Sequence, residues 1–391
     1  MKKVLVVWLI MTAAGMGFAQ NLTFNGMVLG GIGFFKSDHK DSEFVIGHYN
    51  SSENGGVLAQ LWTHFSNSNN TAGLRLLFRA NADFMQDHTN ASHFQIETYE
   101  GWLRFFDNIV EIRGGKLDYK ELYNPYGGVE AAMFNAEGWG MIVNVNPFVG
   151  FNTRFGVFPA GGLGQAFNHK QTRYNLSFRY DLFGMANFML NTVVHHEDLY
   201  DIGFGVQVVA LRRIITGLSN ANFDFAFLNI LGNKNNSIGI QIGQRFDYAS
   251  GNIGAGLRFM QLFVDGREAD LTFAGYVIYT LGNIVPRFNF GMNFGSPMRG
   301  TGHSGPAGDD LRGGANYYES IHKGSYYDGL SLNPRGGQAN AGNLILQPGV
   351  QFRIGGNQYI EIGYSLQRDL STPKSTRTMN NLIYIDYKLE F

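Results

Sequence analysis

The sequence predicts an all-β chain that closes into a transmembrane, antiparallel, up-and-down β-barrel of about 18 strands. Three observations support this fold class. Apolar and polar residues alternate with a period of two in many segments, as expected of strands whose two faces meet different surroundings. Beyond residue 19, no stretch approaches the roughly 18 to 20 consecutive apolar residues of a spanning helix. The gaps between these segments alternate between long and short, as an up-and-down barrel requires.

The first 19 residues have the composition of a secretory signal peptide. Lys2 and Lys3 precede a short apolar run, and small residues lead up to Ala19. Such a leader is removed on export, so we expect residues 20–391 to form a single barrel domain. A retained membrane anchor is the alternative, but the apolar core is short for a spanning helix.

Composition excludes several other classes of protein. The chain has no cysteine, so it has neither disulfides nor thiolate metal sites. Once Lys2 and Lys3 are removed, 28 of the 30 basic residues stand beside 31 acidic ones. This balance lacks the basic footprint of nucleic-acid binding. Ser and His are scattered, without the nucleophile-and-base grouping of a hydrolase. We therefore expect no enzyme, no cofactor and no metal site.

The alternation also places the individual strands. In one of them, Leu74, Leu76 and Phe78 fall on one face, whereas Arg75 and Arg79 fall on the other. A count of 16 strands is the runner-up. The predicted strands are 22–35, 55–66, 72–85, 94–106, 109–117, 139–146, 150–159, 172–182, 186–195, 201–210, 221–230, 237–247, 251–263, 270–281, 286–295, 343–354, 358–367 and 379–391.

The last predicted strand has a regular alternation and an aromatic end. Ile383 and Ile385 fall on one face, Asp386 and Lys388 fall on the other, and the chain ends at Phe391. A terminal strand of this form resembles the C-terminal signature of bacterial outer-membrane barrels. The resemblance implies a location in the outer membrane of a Gram-negative-type (diderm) bacterium, and recognition of this strand by the barrel assembly machinery. An edge strand of a soluble sandwich is the alternative, which the signal peptide disfavours.

The polar face is where function is expected. If the apolar faces contact lipid, the polar faces line a wet lumen, and 16 to 18 strands leave an aqueous channel. Seven arginines from the third to the eighth predicted strand would line one side of it: Arg75, Arg79, Arg104, Arg113, Arg154, Arg173 and Arg179. Arginines at a constriction favour anions, so we expect a mild anion preference. The alternative is that these arginines pair with lumenal carboxylates and only solvate the wall.

Two long connections, 118–138 and 296–342, are predicted on the external side. The first contains a Pro-Tyr-Gly-Gly turn signal at 125–128. In its rank and its turn it resembles the third external loop of general porins, which folds into the lumen, although the family's acidic residue after the proline is missing. The resemblance implies that acidic loop residues face the arginines across a constriction: Asp118, Glu121, Glu130 and Glu137. A loop that projects outward is the alternative.

These observations together predict a porin-like channel for the passive diffusion of small hydrophilic solutes. A fatty-acid-type transporter of hydrophobic substrates is one alternative, but it would begin with a hatch, and the first predicted strand starts at Leu22. A surface adhesin or structural barrel that acts through 296–342 is another. The expected partners are outer-membrane lipids, the assembly machinery and small solutes. The sequence leaves open the choice between a homotrimer and a monomer.

Overall fold

The computed structural model is a single antiparallel sheet that closes on itself. It describes residues 21–37, 40–46, 57–82, 92–117, 138–159, 172–194, 200–228, 230, 239–264, 270–294, 343–356, 358–369 and 379–391. The strands are β1 (Asn21–Ser37), β2 (Lys40–Ile46), β3 (Val57–Ser66), β4 (Ala72–Ala82), β5 (Ser92–Phe105), β6 (Val110–Leu117), β7 (Gly138–Phe148), β8 (Phe151–Pro159), β9 (Thr172–Leu182), β10 (Ala186–Val194), β11 (Tyr200–Gln207), β12 (Leu218–Leu228), β13 (Gly239–Ser250), β14 (Ile253–Val264), β15 (Asp270–Tyr279), β16 (Ile284–Phe294), β17 (Asn343–Gly355), β18 (Gln358–Asp369) and β19 (Met379–Glu390). One short helix, α1 (Leu211–Ile214), precedes β12.

The 19 described strand segments form a barrel wall of 18 strands. β1 pairs with β19 over residues 27–37, which closes the ring. On its other side, β1 pairs with β3 over residues 21–29 and with β2 over residues 32–37. Because β2 and β3 follow each other along the same edge of β1, they occupy one position in the wall. The predicted count of 18 is therefore confirmed, and the runner-up count of 16 is not observed.

Part of the predicted connection 36–54 is a strand, so that prediction was wrong. β1 continues to Ser37, and β2 then pairs back onto it, with Phe34 opposite Phe44. The pairing extends the ladder of β1 beyond the point where β3 ends. Backbone hydrogen bonding therefore continues where the sequence pattern had already become too polar to predict a strand.

The predicted connection 211–220 also differs from the structure. It contains α1, and β12 begins at Leu218 rather than at 221. The amide of Ala210, just before α1, donates to the carbonyl of Met185 in the neighbouring turn at 2.8 Å. The segment is therefore hydrogen-bonded to the next turn of the barrel. No helix among the described residues is long and apolar enough to cross a bilayer.

Solvent exposure separates the two faces of the wall. On β19, Ile383 and Ile385 are 57 % and 41 % exposed, whereas Tyr384 and Asp386 are 2 % and 0 % exposed. Large apolar side chains are exposed on the outside along other strands as well, and most of the buried charged and amide side chains share the face of Asp386. We call that face the inward face. The predicted alternation of the last strand is thus confirmed.

The two ends of the barrel differ. Gly26 and Phe391 exchange two backbone hydrogen bonds of 2.8 and 2.9 Å at one end. We call it the short-turn end, because its connections are as short as 149–150 and 251–252, and the longest is 208–217. All connections at the opposite end lie wholly or partly outside the described residues.

Candidate functional site

Six of the seven predicted arginines have described side chains, and these six lie on the inward face. They alternate along their strands with outward residues, and three of them pair in register with buried polar residues: Arg75 with Glu100, Arg104 with Glu111, and Arg154 with Asn144 and Ser177. The six are Arg75 and Arg79 on β4, Arg104 on β5, Arg113 on β6, Arg154 on β8 and Arg179 on β9. Arg173 occupies the β9 position opposite Phe158, but its side chain is outside the described set. Since β4 to β9 are consecutive in the wall, we call this sector the arginine wall.

Arg75 is held against the arginine wall from two sides. Its Nη1 lies 3.5 Å from Oε1 of Glu100 on the next strand. Its guanidinium carbon lies 4.0 Å from the ring centroid of Trp62, on the strand at its other side. A cation over an aromatic face is attracted by the ring's negative charge density. The two contacts keep this side chain along the wall.

Glu111 is the centre of a network of ion pairs on the arginine wall, which we call the charge network. Its Oε2 accepts a hydrogen bond of 2.6 Å from Nε of Arg104, and its Oε1 accepts one of 2.6 Å from Nε of Arg113. The side-chain amide of Asn144 donates a third, at 3.0 Å. Glu111 is only 7 % exposed. A buried carboxylate requires such charged and polar partners, because desolvation otherwise disfavours its ionised form.

The two carboxylates and three arginines form one continuous chain of charges. Nη1 of Arg113 lies 3.7 Å from Oε1 of Glu100, so Arg113 connects Glu100 with Glu111. Successive contacts connect Arg75, Glu100, Arg113, Glu111 and Arg104 in that order. The sequence left open the alternative that the arginines pair with lumenal carboxylates. At these three arginines the structure shows such pairing.

Arg179 lies in a different setting, close to the short-turn end. It borders a cleft of about 560 Å³, together with Asn146, Asn152 and Asp181. Asn152 donates to the side-chain oxygen of Asn146 at 2.5 Å, and Asp181 accepts from the backbone of Gly184 at 2.9 Å. The cleft therefore places a guanidinium beside amide groups and two carboxylates, those of Asp107 and Asp181, at one mouth of the barrel.

The charge is distributed unevenly around the barrel. Among the described inward side chains of β4 to β9, six arginines stand beside three carboxylates, those of Glu100, Glu111 and Asp181. Across the lumen, β12 to β19 have equal numbers of described inward bases and acids: Arg245, Arg287, Arg353, Lys388, Asp247, Glu361, Asp386 and Glu390. Only the arginine wall therefore has a surplus of positive charge among these residues.

The opposite side contains a second carboxylate hub. Glu361 is fully buried. Its Oε2 lies 3.2 Å from Nη1 of Arg287 and accepts a hydrogen bond of 2.7 Å from Gln351. Its Oε1 accepts one of 2.8 Å from the hydroxyl of Tyr384. In these contacts one arginine faces one carboxylate, so they carry no positive surplus.

The sequence reasoning missed a ladder of amide side chains between these two regions. Asn187 donates to Gln207 at 2.7 Å, Gln207 to Asn220 at 2.8 Å, and Asn220 to Asp247 at 3.2 Å. Nε of Arg245 completes the ladder with a bond of 2.6 Å to Asp247. The signal was present as Asn and Gln at alternate strand positions. Because these side chains are neutral, a prediction based on charged residues does not include them.

Several predicted residues lie outside the described part of the chain. These are the predicted constriction residues Asp118, Glu121, Glu130 and Glu137, together with the predicted connection 296–342 and the predicted signal peptide. Gly138, the last residue of the predicted loop 118–138, opens β7 instead.

Comparison with known proteins places the fold. No family model matches the chain, and no curated protein matches its sequence. Solved structures do match over nearly the whole length. OpdK of Pseudomonas aeruginosa, solved with vanillate, has a TM-score of 0.59 at 9 % identity, over 96 % of this chain and 100 % of that one. OccK2 (OpdF) of the same organism, in complex with glucuronate, has 0.58 at 8 %, over 96 % and 99 %.

A structure from a second organism agrees. OccAB3 of Acinetobacter baumannii has a TM-score of 0.54 at 12 % identity, over 94 % of this chain and 99 % of that one. The closed 18-strand ring, its apolar outer face and these structural matches lead to the same conclusion about the fold. This chain has the fold of the bacterial outer-membrane, porin-like β-barrels.

Proposed function

We propose that the chain is an outer-membrane channel for the passive diffusion of small hydrophilic solutes, with a mild preference for anions. The observation that carries the proposal is the arginine wall, where six described arginines stand beside three carboxylates inside a closed barrel. A wet lumen enclosed by a low-dielectric wall concentrates the field of such a surplus. Arginine rings and ladders favour anions in pores. Diffusion through such a pore requires no catalytic group.

The structural neighbours support small organic anions as the solutes to test first. Vanillate and glucuronate are named with OpdK and OccK2, and both are carboxylates. The guanidinium groups of the arginine wall are suited to carboxylates, because their planar donors match two carboxylate oxygens.

The constriction remains part of the proposal. The loop 118–138 would fold into the lumen, with Asp118, Glu121, Glu130 and Glu137 opposite the arginines. Acids on one side and bases on the other would set a transverse field across the narrowest point, which orders solutes that carry a dipole or a charge. This assignment rests on the resemblance to the third loop of general porins.

The proposed partners follow from the two ends and the outer face of the barrel. Exposed apolar side chains on the outside suit outer-membrane lipids. Phe391, 73 % exposed at the end of β19, would be recognised by the barrel assembly machinery after export by the leader 1–19. A homotrimer and a monomer are both compatible with the proposal.

Ion conductance in planar lipid bilayers tests the channel directly. Purified, folded protein is expected to give stepwise conductance, and a salt gradient is expected to give a reversal potential on the anion-selective side. Selectivity should weaken as salt rises from about 0.1 M to about 1 M, because the Debye length shrinks from roughly 10 Å to roughly 3 Å. Absence of conductance would refute the channel, whereas a cation-selective reversal potential would refute only the role of the arginines.

Removing two arginines together tests the wall itself. The double variant Arg75→Ala/Arg79→Ala lowers the described surplus on the arginine wall from three positive charges to one. The anion-to-cation permeability ratio is therefore expected to fall towards one, while the conductance steps persist. A matched control is Arg212→Ala/Arg213→Ala, which removes the same charge from exposed side chains in α1. If both variants keep the wild-type ratio, Arg75 and Arg79 do not set selectivity.

A further inference from the structure

Large apolar side chains are exposed at the tips of four neighbouring connections at the short-turn end. These connections follow β5, β7, β9 and β11, so they form one continuous sector of the rim. We call them the apolar rim, and their most exposed apolar residues are Phe106 at 75 %, Val149 at 99 %, Phe183 at 83 % and Ile214 at 76 %. Exposed apolar surface of this kind in one place indicates an interaction site.

The other half of the short-turn end has a different character. The connection between β3 and β4 reads Asn, Ser, Asn, Asn and Thr over 67–71, and the connection between β13 and β14 is Gly251 and Asn252. Among the described turns of that half, one large apolar side chain is exposed, Leu281, to 52 %. The apolar character therefore belongs to one sector and not to tight turns in general.

Two of the exposed side chains sit on a backbone that disfavours them. Phe106 has φ 52° and Phe183 has φ 48°, in the left-handed region that glycine, asparagine and aspartate adopt most easily. A bulky aromatic residue there costs conformational energy, and the isolated turn would be better served by Asn or Gly. A favourable environment for the two rings would offset that cost.

The apolar rim is continuous with the lipid-facing surface. The rings of Phe105 and Phe106 lie 6.5 Å apart, so the tip joins the outward face of β5. Phe148 stacks on Phe151 at 5.1 Å, and Phe151 lies 6.5 Å from Phe178. Through these ring contacts the apolar outer face of the barrel is continuous with the tips of the turns. The cleft that contains Arg179 is bordered by polar members of the same turns, Asp107 and Asn108, and also by Phe148 and Val149.

Basic residues accompany the rim. Arg212 and Arg213 form the middle of α1 and are exposed, directly before Ile214 and Ile215. Long basic side chains next to apolar ones are typical of segments that lie at a bilayer surface, where the charge reaches lipid phosphates and the apolar groups enter the acyl boundary. The apolar residues of the rim therefore suit the acyl chains, and the two arginines suit the lipid phosphates.

We propose that the apolar rim inserts into the lipid leaflet at the short-turn end, with Arg212 and Arg213 at the phosphate level. The inference rests on the membrane placement of the barrel. It extends the lipid contact of the β5 to β12 sector past the strands to the turns. The lipid boundary then lies further towards the short-turn end on this side of the barrel than on the other.

Site-directed spin labelling tests this proposal, because the chain has no native cysteine. Labels are placed at V149C and I214C in the rim, which leaves both strained phenylalanines intact. Control labels are placed at N69C and N252C in the polar turns, and a reference label at I362C on the outward face of β18, where Ile362 is 47 % exposed. The protein is reconstituted in phosphatidylethanolamine and phosphatidylglycerol vesicles. Collision with oxygen and with a water-soluble nickel complex is then measured for each label.

The rim labels are expected to resemble I362C, with high oxygen accessibility and several-fold lower nickel accessibility than N69C and N252C. If the rim labels are as accessible to nickel as the polar-turn labels while I362C is protected, the rim faces water or a soluble partner, and the proposal is overturned. If I362C itself is accessible to nickel, the membrane barrel is refuted, and the proposed function fails with it.

Discussion

Replacing Glu111 with glutamine is expected to lower the free energy of unfolding by about 2 to 3 kcal/mol and to increase anion preference. Removing one partner of a buried ion pair costs roughly 3 to 5 kcal/mol, and we expect less here because the side chains of Arg104 and Arg113 are each 24 % exposed. The variant also removes one of three carboxylates from the arginine wall. The permeability ratio for anions over cations should rise accordingly.

The matched control for this variant is Glu390→Gln. Glu390 also pairs with a base, Lys388, but its side chain is 32 % exposed. An exposed pair contributes about 0 to 1 kcal/mol. Urea unfolding in lipid vesicles measures both variants, and reversal potentials measure selectivity. Equal stability losses in the two variants would contradict the role of Glu111 as the centre of the charge network.

The wall of the barrel was predictable because one physical constraint acts on every strand. In a membrane barrel, lipid on one side and a polar interior on the other make apolar and polar residues alternate along each strand. The two faces of a strand can therefore be assigned from its own sequence. Ile383, Ile385 and Asp386 were assigned correctly from the sequence, and the described exposures agree. The count of 18 followed from summing segments that each carried this pattern.

The two elements that the sequence did not predict, β2 and α1, lie where this alternation is not imposed. β2 contains Lys40, Asp41 and Glu43, so its sequence resembles a solvated connection. It forms a strand because β1 offers an unsatisfied ladder beyond the end of β3. Pairing between segments decides such a case. α1 is similar, since a helix of four residues has too short a pattern to be recognised.

The partners within the site were harder to predict than its faces. Which carboxylate meets which arginine depends on the register between strands, and a β-bulge sets that register on β5. Leu77 pairs with Thr98 whereas Phe78 pairs with Ile96, so Glu97 is an extra residue. This shift determines that Glu100 stands opposite Arg75. Register comes from contacts between strands, and a single strand read alone does not contain it.

Replacing Gly115 with alanine is expected to lower the free energy of unfolding by about 2 to 4 kcal/mol. Gly115 has φ +140°, a backbone conformation that residues other than glycine rarely adopt. Forcing alanine into it costs about 1 to 3 kcal/mol. A methyl group there would also lie 2.1 Å from the carbonyl oxygen of Tyr99 and 3.1 Å from Cα of Glu100. Both obstacles are backbone atoms, so β5 and β6 must separate to admit it.

The adjacent glycine supplies the control and connects the effect to the site. In Gly114→Ala the new methyl group meets nothing closer than a backbone oxygen at 3.8 Å, so this variant should stay within about 1 kcal/mol of the wild type. Separation of β5 from β6 in Gly115→Ala would lengthen the contacts of Glu100 and Glu111 with Arg113, because these residues lie on the two strands. Gly115→Ala is therefore expected to change both stability and the permeability ratio, and Gly114→Ala neither. If alanine at 115 leaves unfolding and selectivity as they are at 114, the close approach of β5 and β6 does not position these charges.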